Sequence, residues 1–397
     1  MQGYGFQFAA YSNVSGKYDV TEGFVEVSLP LLSGMPFFEV LNLDASFRGG
    51  EYSTAGSADS WKVGMVWSPI EGVRLRGGIA NTLRAPNISE LFTPETAGTF
   101  RPVDPCDQAN RNSGPSPADR AKNCLADGIP AAFTDPLTAR FTGVVSGNPN
   151  LGAEESESYT YGIVLVPSIL PGFTASIDYW NIDITNAIAS ISAQNIVDGC
   201  YDAPSLDNQF CKLFTRNRNA GSPTFLGFNF LRQADVNFAG LEVSGVDFDL
   251  DYRFDTDTAG RFSFGVSGSY LEKRNNFEFF GEPDRANPEK LEINNPELVV
   301  NTSIGWEKGP LGIRLDSTWW DRQLYRVVEV ETQRDTVDPL APAMWVHSIS
   351  ARYELNDSTT IIAGIDNLAD EKPFRTEYSI PVSAVGRSMF VRASMRF

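Results

Sequence analysis

Polar and apolar side chains alternate along this chain with a period of two, in segment after segment, and such a pattern leaves room for little but extended strands. Phe262, Phe264, Val266 and Tyr270 fall on one side of such a strand, and Arg261, Ser263, Ser267 and Ser269 on the other. Leu298, Val300, Ile304 and Trp306 alternate with Asn301, Ser303 and Glu307; Leu311, Ile313, Leu315 and Trp319 alternate with Arg314, Asp316 and Thr318. Ile349, Ala351, Tyr353 and Leu355 oppose Ser348, Ser350, Arg352 and Glu354. Met389, Val391, Ala393, Met395 and Phe397 oppose Ser388, Arg392, Ser394 and Arg396. Nearer the start, Leu41, Leu43, Ala45 and Phe47 oppose Asn42, Asp44, Ser46 and Arg48, and Val73, Leu75 and Ile79 oppose Arg74 and Arg76. Successive side chains of a strand point to opposite faces, so each run predicts a strand with one apolar side. Soluble sheets share that property. Charge along the whole second face, strand after strand, sets this chain apart.

The connections sharpen the reading. Short turns are expected at Pro30 to Pro36, Ser68 to Gly72, Pro167 to Gly172, Asp255 to Gly260, Glu307 to Pro310 and Asn356 to Ser358. Longer segments lie between them, at Gly49 to Ala58, Ala85 to Ala153, Asn186 to Ala239, Lys273 to Asn295, Arg326 to Met344 and Ala369 to Val385. Short and long alternate strictly if Phe225 to Arg232, itself strand-like, belongs to a hairpin within a loop. Transmembrane β-barrels have this asymmetry, with short periplasmic turns and longer outer loops, and counting back from Phe397 gives about fourteen crossings. Trp61, Trp67, Trp306, Trp319 and Trp345 fall near strand ends, where interfacial aromatic girdles are expected. The fold class is therefore all-β, an antiparallel transmembrane barrel wall.

Composition agrees. The 397 residues carry 50 acidic and 32 basic side chains, a net charge of −18, which speaks against nucleic acid as a partner. No apolar run approaches the roughly 18 residues that a membrane helix requires. Polar lumen-facing residues dilute every hydropathy window of a membrane barrel, so a mean hydropathy of −0.20 is compatible with one. Met1 to Val20 has neither a basic n-region nor an apolar h-region, so no signal peptide is expected there. The four cysteines form two local groups, Cys106 with Cys124 and Cys200 with Cys211, although four cysteines allow three connectivities. Both groups lie in polar segments free of histidine, which disfavours zinc. Disulfides of an oxidising compartment are the better reading, each stabilising its loop by roughly 2–4 kcal/mol.

Four segments resemble a known family. Leu83-Arg84-Ala85-Pro86-Asn87-Ile88-Ser89-Glu90-Leu91-Phe92 is similar to the Arg-x-Pro-x-x-x-Glu-Leu segment at the outer end of a strand in TonB-dependent receptors. Asn148-Pro149-Asn150-Leu151, with Glu154, Tyr159 and Gly162, resembles the family's entry into its next strand. Asn367-Leu368-Ala369-Asp370 resembles the turn after its penultimate strand, and Gly386-Arg387 through Phe397 its closing strand. The resemblance implies a 22-stranded barrel filled by a plug and energised by TonB. On this reading residues 1–397 are the C-terminal portion of the barrel domain, without plug, TonB box or signal peptide. Autonomous transport by this portion is then not expected.

The implied function is capture and import of a scarce nutrient, such as siderophore-bound iron or an oligosaccharide, across the outer membrane of a Gram-negative bacterium. The implied partners are outer-membrane lipid, the plug and through it TonB, and the nutrient; no cofactor is implied. The alternative is a passive porin-like or structural barrel. Ligand contacts are expected by position, at Arg101, Asp104, Asp107 and Arg111 around the first cysteine group, and at Trp320, Arg322 and Tyr325 at a strand top. Arginine pairs with acidic ligands and aromatics stack on flat ones. Arg48, Arg74, Arg76, Asp178, Asp247, Asp249, Asp251, Arg392 and Arg396 are expected in the lumen wall. Asp247, Asp249 and Asp251 share one strand face, and no Gly or Glu completes an EF-hand, so no metal is expected there. His347, the single histidine, precedes Ser348 on a strand, which places the two side chains on opposite faces and disfavours a Ser-His hydrolase. An enzyme is not expected.

Overall fold

The computed structural model describes residues 13–277, 285–326, 340–374 and 380–396, and seventeen strands lie within them. β1 (Val20–Met35), β2 (Phe38–Tyr52), β3 (Gly56–Ile70) and β4 (Val73–Arg84) run up and down in succession. β5 (Thr96–Phe100) and β6 (Phe141–Ser146) sit in the first long connection, with the helices α1 (Ile88–Phe92) and α2 (Pro117–Ala126). β7 (Glu154–Leu165) and β8 (Phe173–Ser190) resume the wall. The second long connection holds α3 (Ala193–Asp202) and β9 (Phe214–Arg216), and leads into the 29-residue β10 (Phe228–Thr256). There follow β11 (Gly260–Phe277), the short β12 (Asn287–Pro288), β13 (Leu298–Lys308), β14 (Leu311–Trp320), β15 (Met344–Asn356), β16 (Thr359–Asp366) and β17 (Ser388–Met395).

With β5, β6, β9 and β12 set aside as loop strands, thirteen wall strands remain among the described residues, in one antiparallel meander. Sequence reading expected about fourteen crossings, and residues 1–12 lie outside the described part. Among the described residues β1 pairs only with β2 and β17 only with β16, so the sheet is open between them. No described helix is long and apolar enough to cross a membrane.

Register confirms the two faces. Tyr252, Phe264, Ile304, Leu315, Ile349, Ile365 and Met389 stand side by side across seven strands. Asp251, Gly265, Ser303, Asp316 and Ser348 form the adjacent row on the opposite face. Ile304 is 47% exposed and Met389 73%, values that make sense when lipid rather than water covers that face. Clefts open on the charged face, one of about 380 Å³ lined by Glu26, Asp44 and Lys62, another of about 220 Å³ lined by Asp249, Asp251, Arg314 and Asp316. Arg48 pairs there with Glu22, and Arg314 with Asp316 at 2.8 Å. Asp247, Asp249 and Asp251 line up on this face as expected, and no group of three or more metal-ligating residues occurs among the described residues.

Gly162 shows why a family position must be small. It lies in register between Arg76 of β4 and Asp178 of β8, whose side chains meet above it at 2.5 Å. A β-carbon there would come within 2.1 Å of the Asp178 carboxylate and 2.5 Å of the Ile177 carbonyl. The tryptophans mark two levels. Trp67 and Trp306 donate their indole N–H to the carbonyls of Phe37 and Ala259, in turns at the short-turn end. Trp319 and Trp345 pack together at the long-loop end, with ring centres 6.4 Å apart.

Two connections depart from expectation. The turn expected at Pro30 to Pro36 shrinks to Pro36 and Phe37, because β1 stays paired with β2 out to Met35. Gly49 to Ala58 is not a long loop: β2 and β3 continue in register to Tyr52 and Gly56, joined by a tight turn with Gly56 at φ 76°. The glycines suggested a loop, but cross-strand pairing of Phe47 with Trp61 and Glu51 with Ser57 extends the hairpin outward. Phe225 to Arg232 does form a loop hairpin, in which β9 pairs with Phe228–Leu231, but its second arm runs on as wall strand β10.

Candidate functional site at the outer rim

Residues 85–153 and 186–239 fold together into a cap on the long-loop end. Among the described residues, all the buried hydrophobic ones lie in it except Ile293, Ala341, Phe374 and Val382. A wall one sheet thick has no interior, whereas two long loops packed together make one. The cap sheet runs β5, β6, β10, β9, with β6 parallel to Arg232–Ala234 of β10. Phe100, Phe141, Phe214, Phe228, Tyr201, Ile196 and Val197 fill its core beside α3. Proline opens α2, and the Ser192 hydroxyl accepts from Asn195 N–H to start α3.

Two disulfides, Cys106–Cys124 and Cys200–Cys211, tie the cap, which settles the connectivity that sequence left open. Buried charge ties it further. Arg216 and Asp104 are about 1% and 0% exposed and meet in a bidentate pair of 2.6 and 2.8 Å. The Arg216 guanidinium also lies 4.0 Å from the centre of the Phe228 ring. Arg120 pairs with the fully buried Asp202 and with Asp198. Burial pushes the Asp198 carboxyl up from its ordinary value, opposed by Gln194 and Arg120. Burial likewise raises the Tyr201 phenol, which donates to Asp127 at 2.6 Å and accepts from Arg216 at 2.8 Å.

The residues expected around the first disulfide are placed mostly inward. Asp104 is consumed by Arg216, and Asp107 caps the turn at Ala109 and receives the Asp135 N–H. Arg111 is buried, donating to the Ile129 carbonyl at 2.9 Å. Arg101 pairs with Asp135 at 2.6 Å. Trp320 ends β14, Arg322 is exposed beyond it, and Tyr325 packs edge-on against Phe374 at 5.8 Å. Sequence reading missed a recess of about 350 Å³ in the cap, lined by Asp127, Tyr201, Phe214, Arg216 and Arg218 and by the Cys200–Cys211 disulfide. Arg216 and Arg218 close to a cysteine pair were the available signal. His347 does meet a serine, though not its neighbour: Nδ1 lies 2.7 Å from Ser317 Oγ on the adjacent strand. No acid completes a triad with them among the hydrogen bonds of the described residues.

The motif residues converge where cap meets wall. Arg84, the last residue of β4, faces Glu154, the first of β7, and donates to it from Nε and, at 2.8 Å, from Nη2. Its Nη1 donates to both oxygens of Glu90 at 3.1 Å. Glu90 is held there by the capping box of α1, formed with Asn87. Glu154 also accepts from Ile188 N–H. Asn148 N–H donates to the Glu90 carbonyl and its side chain to the Asp235 carbonyl, while Leu91 and Leu151 are 2% exposed beneath. Asn367, at φ 53°, binds Glu371 through both side-chain atoms, and Leu368 N–H donates to the His347 carbonyl. Asp370 accepts from Arg387 N–H, and the Lys372 ammonium holds its carboxyl below the ordinary value. Phe397 lies outside the described residues.

A two-faced antiparallel meander with a folded cap on one rim defines the wall and outer loops of a transmembrane β-barrel. The family described as TonB dependent receptor-like, beta-barrel, matches residues 2–368, and the chain belongs to it. No curated protein matches the chain. Among solved structures it is similar to a variant of the ferric enterobactin receptor of Pseudomonas aeruginosa, at TM-score 0.61 and 16% identity over 96% of this chain and 45% of that one. The siderophore receptor PirA of Acinetobacter baumannii is similar at TM-score 0.60 and 14% identity, covering 96% of this chain and 46% of that one. The copper transporter OprC is similar at TM-score 0.52 and 13% identity, covering 96% and 48%. The chain thus spans slightly under half the length of these structures.

Proposed function

We propose that this chain forms wall and outer loops of an outer-membrane receptor that binds a scarce nutrient and imports it with energy delivered by TonB through a plug. The observation that supports this best is the cap: a disulfide-tied, cored body at one rim suits ligand capture, and a passive pore has no need of it. Siderophore-bound iron and oligosaccharides are the substrate classes in view. The exposed Arg101 and Arg322, the rim Trp320, the half-buried Tyr325, and the cap recess with Arg218 are the proposed contacts. Uptake of ferric siderophores and labelled oligosaccharides by cells making the protein tests the reading. One of these should accumulate in cells with TonB and fail to accumulate without it. Uptake indifferent to TonB, with steady conductance of the purified chain in planar bilayers, would favour the passive barrel instead. Unpaired strand edges in lipid leave N–H and C=O groups unsatisfied at several kcal/mol each, so the chain by itself should give no such steady conductance.

The cap should face the outside of the cell. A cysteine placed at exposed Ala131 in the cap should react with an impermeant maleimide on intact cells. One placed at exposed Glu71, in the turn between β3 and β4, should react only after the outer membrane is opened. The reverse order of labelling would invert the orientation.

A further inference from the structure

Four stems join the cap to the wall: the end of β4, the start of β7, the end of β8 and the wall-entry of β10. Each is pinned within a few residues of the rim. Arg84 bridges the first two through Glu154, and through Glu90 it grips α1, the first element of the cap. Glu154 reaches the third stem at Ile188 N–H. Asn148 ties the β6–β7 link to the fourth stem at the Asp235 carbonyl. Asn237 of β10 accepts from Gly152 N–H and donates to the carbonyls of Gly152 and Asn186. Apart from Arg84–Glu90 these bonds span 34 to 87 residues of sequence; the guanidinium of Arg84 with its two carboxylates joins the first three stems and α1, while Asn148 and Asn237 tie in the fourth. A planar five-donor guanidinium can hold two carboxylates at a fixed mutual angle, which an ammonium cannot.

We propose that Arg84 is a positioning residue that fixes the orientation of the cap on the barrel rim, so that the two longest loops form a rigid wall of the entry rather than a lid. Their own core makes the cap a single body; Arg84 sets the angle at which that body sits. The role is separate from holding the cap together, because neither the disulfides nor the Arg216–Asp104 pair shares a hydrogen bond with Arg84.

The test uses the protein assembled in membranes, with spin labels on introduced non-natural residues at Asp59 on the wall and Ala131 on the cap, both exposed. The parent should give one narrow distance peak. Arg84→Ala should lose that peak for a broad distribution, and Arg84→Lys, able to hold one carboxylate, should fall between. Amide exchange at Ile196–Tyr201 inside the cap should stay as slow as in the parent. An unchanged peak in Arg84→Ala would overturn the proposal. So would fast exchange within the cap, since Arg84 would then be folding the cap rather than orienting it. Should Arg84→Ala not assemble, Glu90→Gln is measured in its place, and there too a broadened peak supports the proposal and an unchanged one overturns it.

Discussion

Arginine at Val266 should destabilise the assembled barrel by about 2–4 kcal/mol, the cost of that side chain towards mid-membrane on a lipid-facing position, and arginine at Ala393, nearer the short-turn end, by less. Val266 stands beside Leu250, and Ala393 beside Ile361, in the apolar rows of the wall. Arginine one residue further, at Ser267 or Ser394, should be tolerated. Ser267 stands beside Asp249 on the charged face, where a guanidinium finds water and a counter-ion. Folding into lipid vesicles, followed by gel mobility with and without heating, reads the difference. Equal effects within each pair would mean that the faces are assigned the wrong way round.

Asp104→Ala should cost the cap roughly 3–5 kcal/mol, because it leaves the Arg216 charge buried without its main partner. Tyr201, the Leu226 carbonyl and Asp127 at 3.6 Å remain around Arg216 and place the effect at the lower end of that range. Removing the charge as well, in Asp104→Ala with Arg216→Met, should recover much of the loss, since a buried pair gains little over apolar side chains of similar size. Hydrogen exchange across α3 measures both. Equal loss in the single and double variants would show that packing, not the unpaired charge, sets the cost.

The wall was legible in the sequence because its physics is local: side-chain parity fixes the face, and glycine, proline or, at Asn356 to Ser358, Asn-Asp-Ser marks the short turns that fix the ends. The Gly49-to-Ala58 segment was misread because its glycines look like a loop until Phe47 is seen across from Trp61. The cap was largely illegible. Asp104 and Arg111 sit in a polar stretch near a cysteine and so resemble ligand contacts. What buries Asp104 is Arg216, 112 residues away, and no local spacing announces that partner. Arg84, Glu90 and Glu154 were visible as parts of two separate motifs. That they meet on one guanidinium follows from the strand register of β4 with β7, which the sequence does not spell out.

Each disulfide closes within its own loop, at sequence separations of 18 for Cys106–Cys124 and 11 for Cys200–Cys211, and neither links one loop to the other. Each bond can therefore form while the two loops are still strangers. The aromatic core that joins them needs no covalent link from one loop to the other. A single bond between the loops would have made their pairing depend on oxidation; as built, it depends on packing alone.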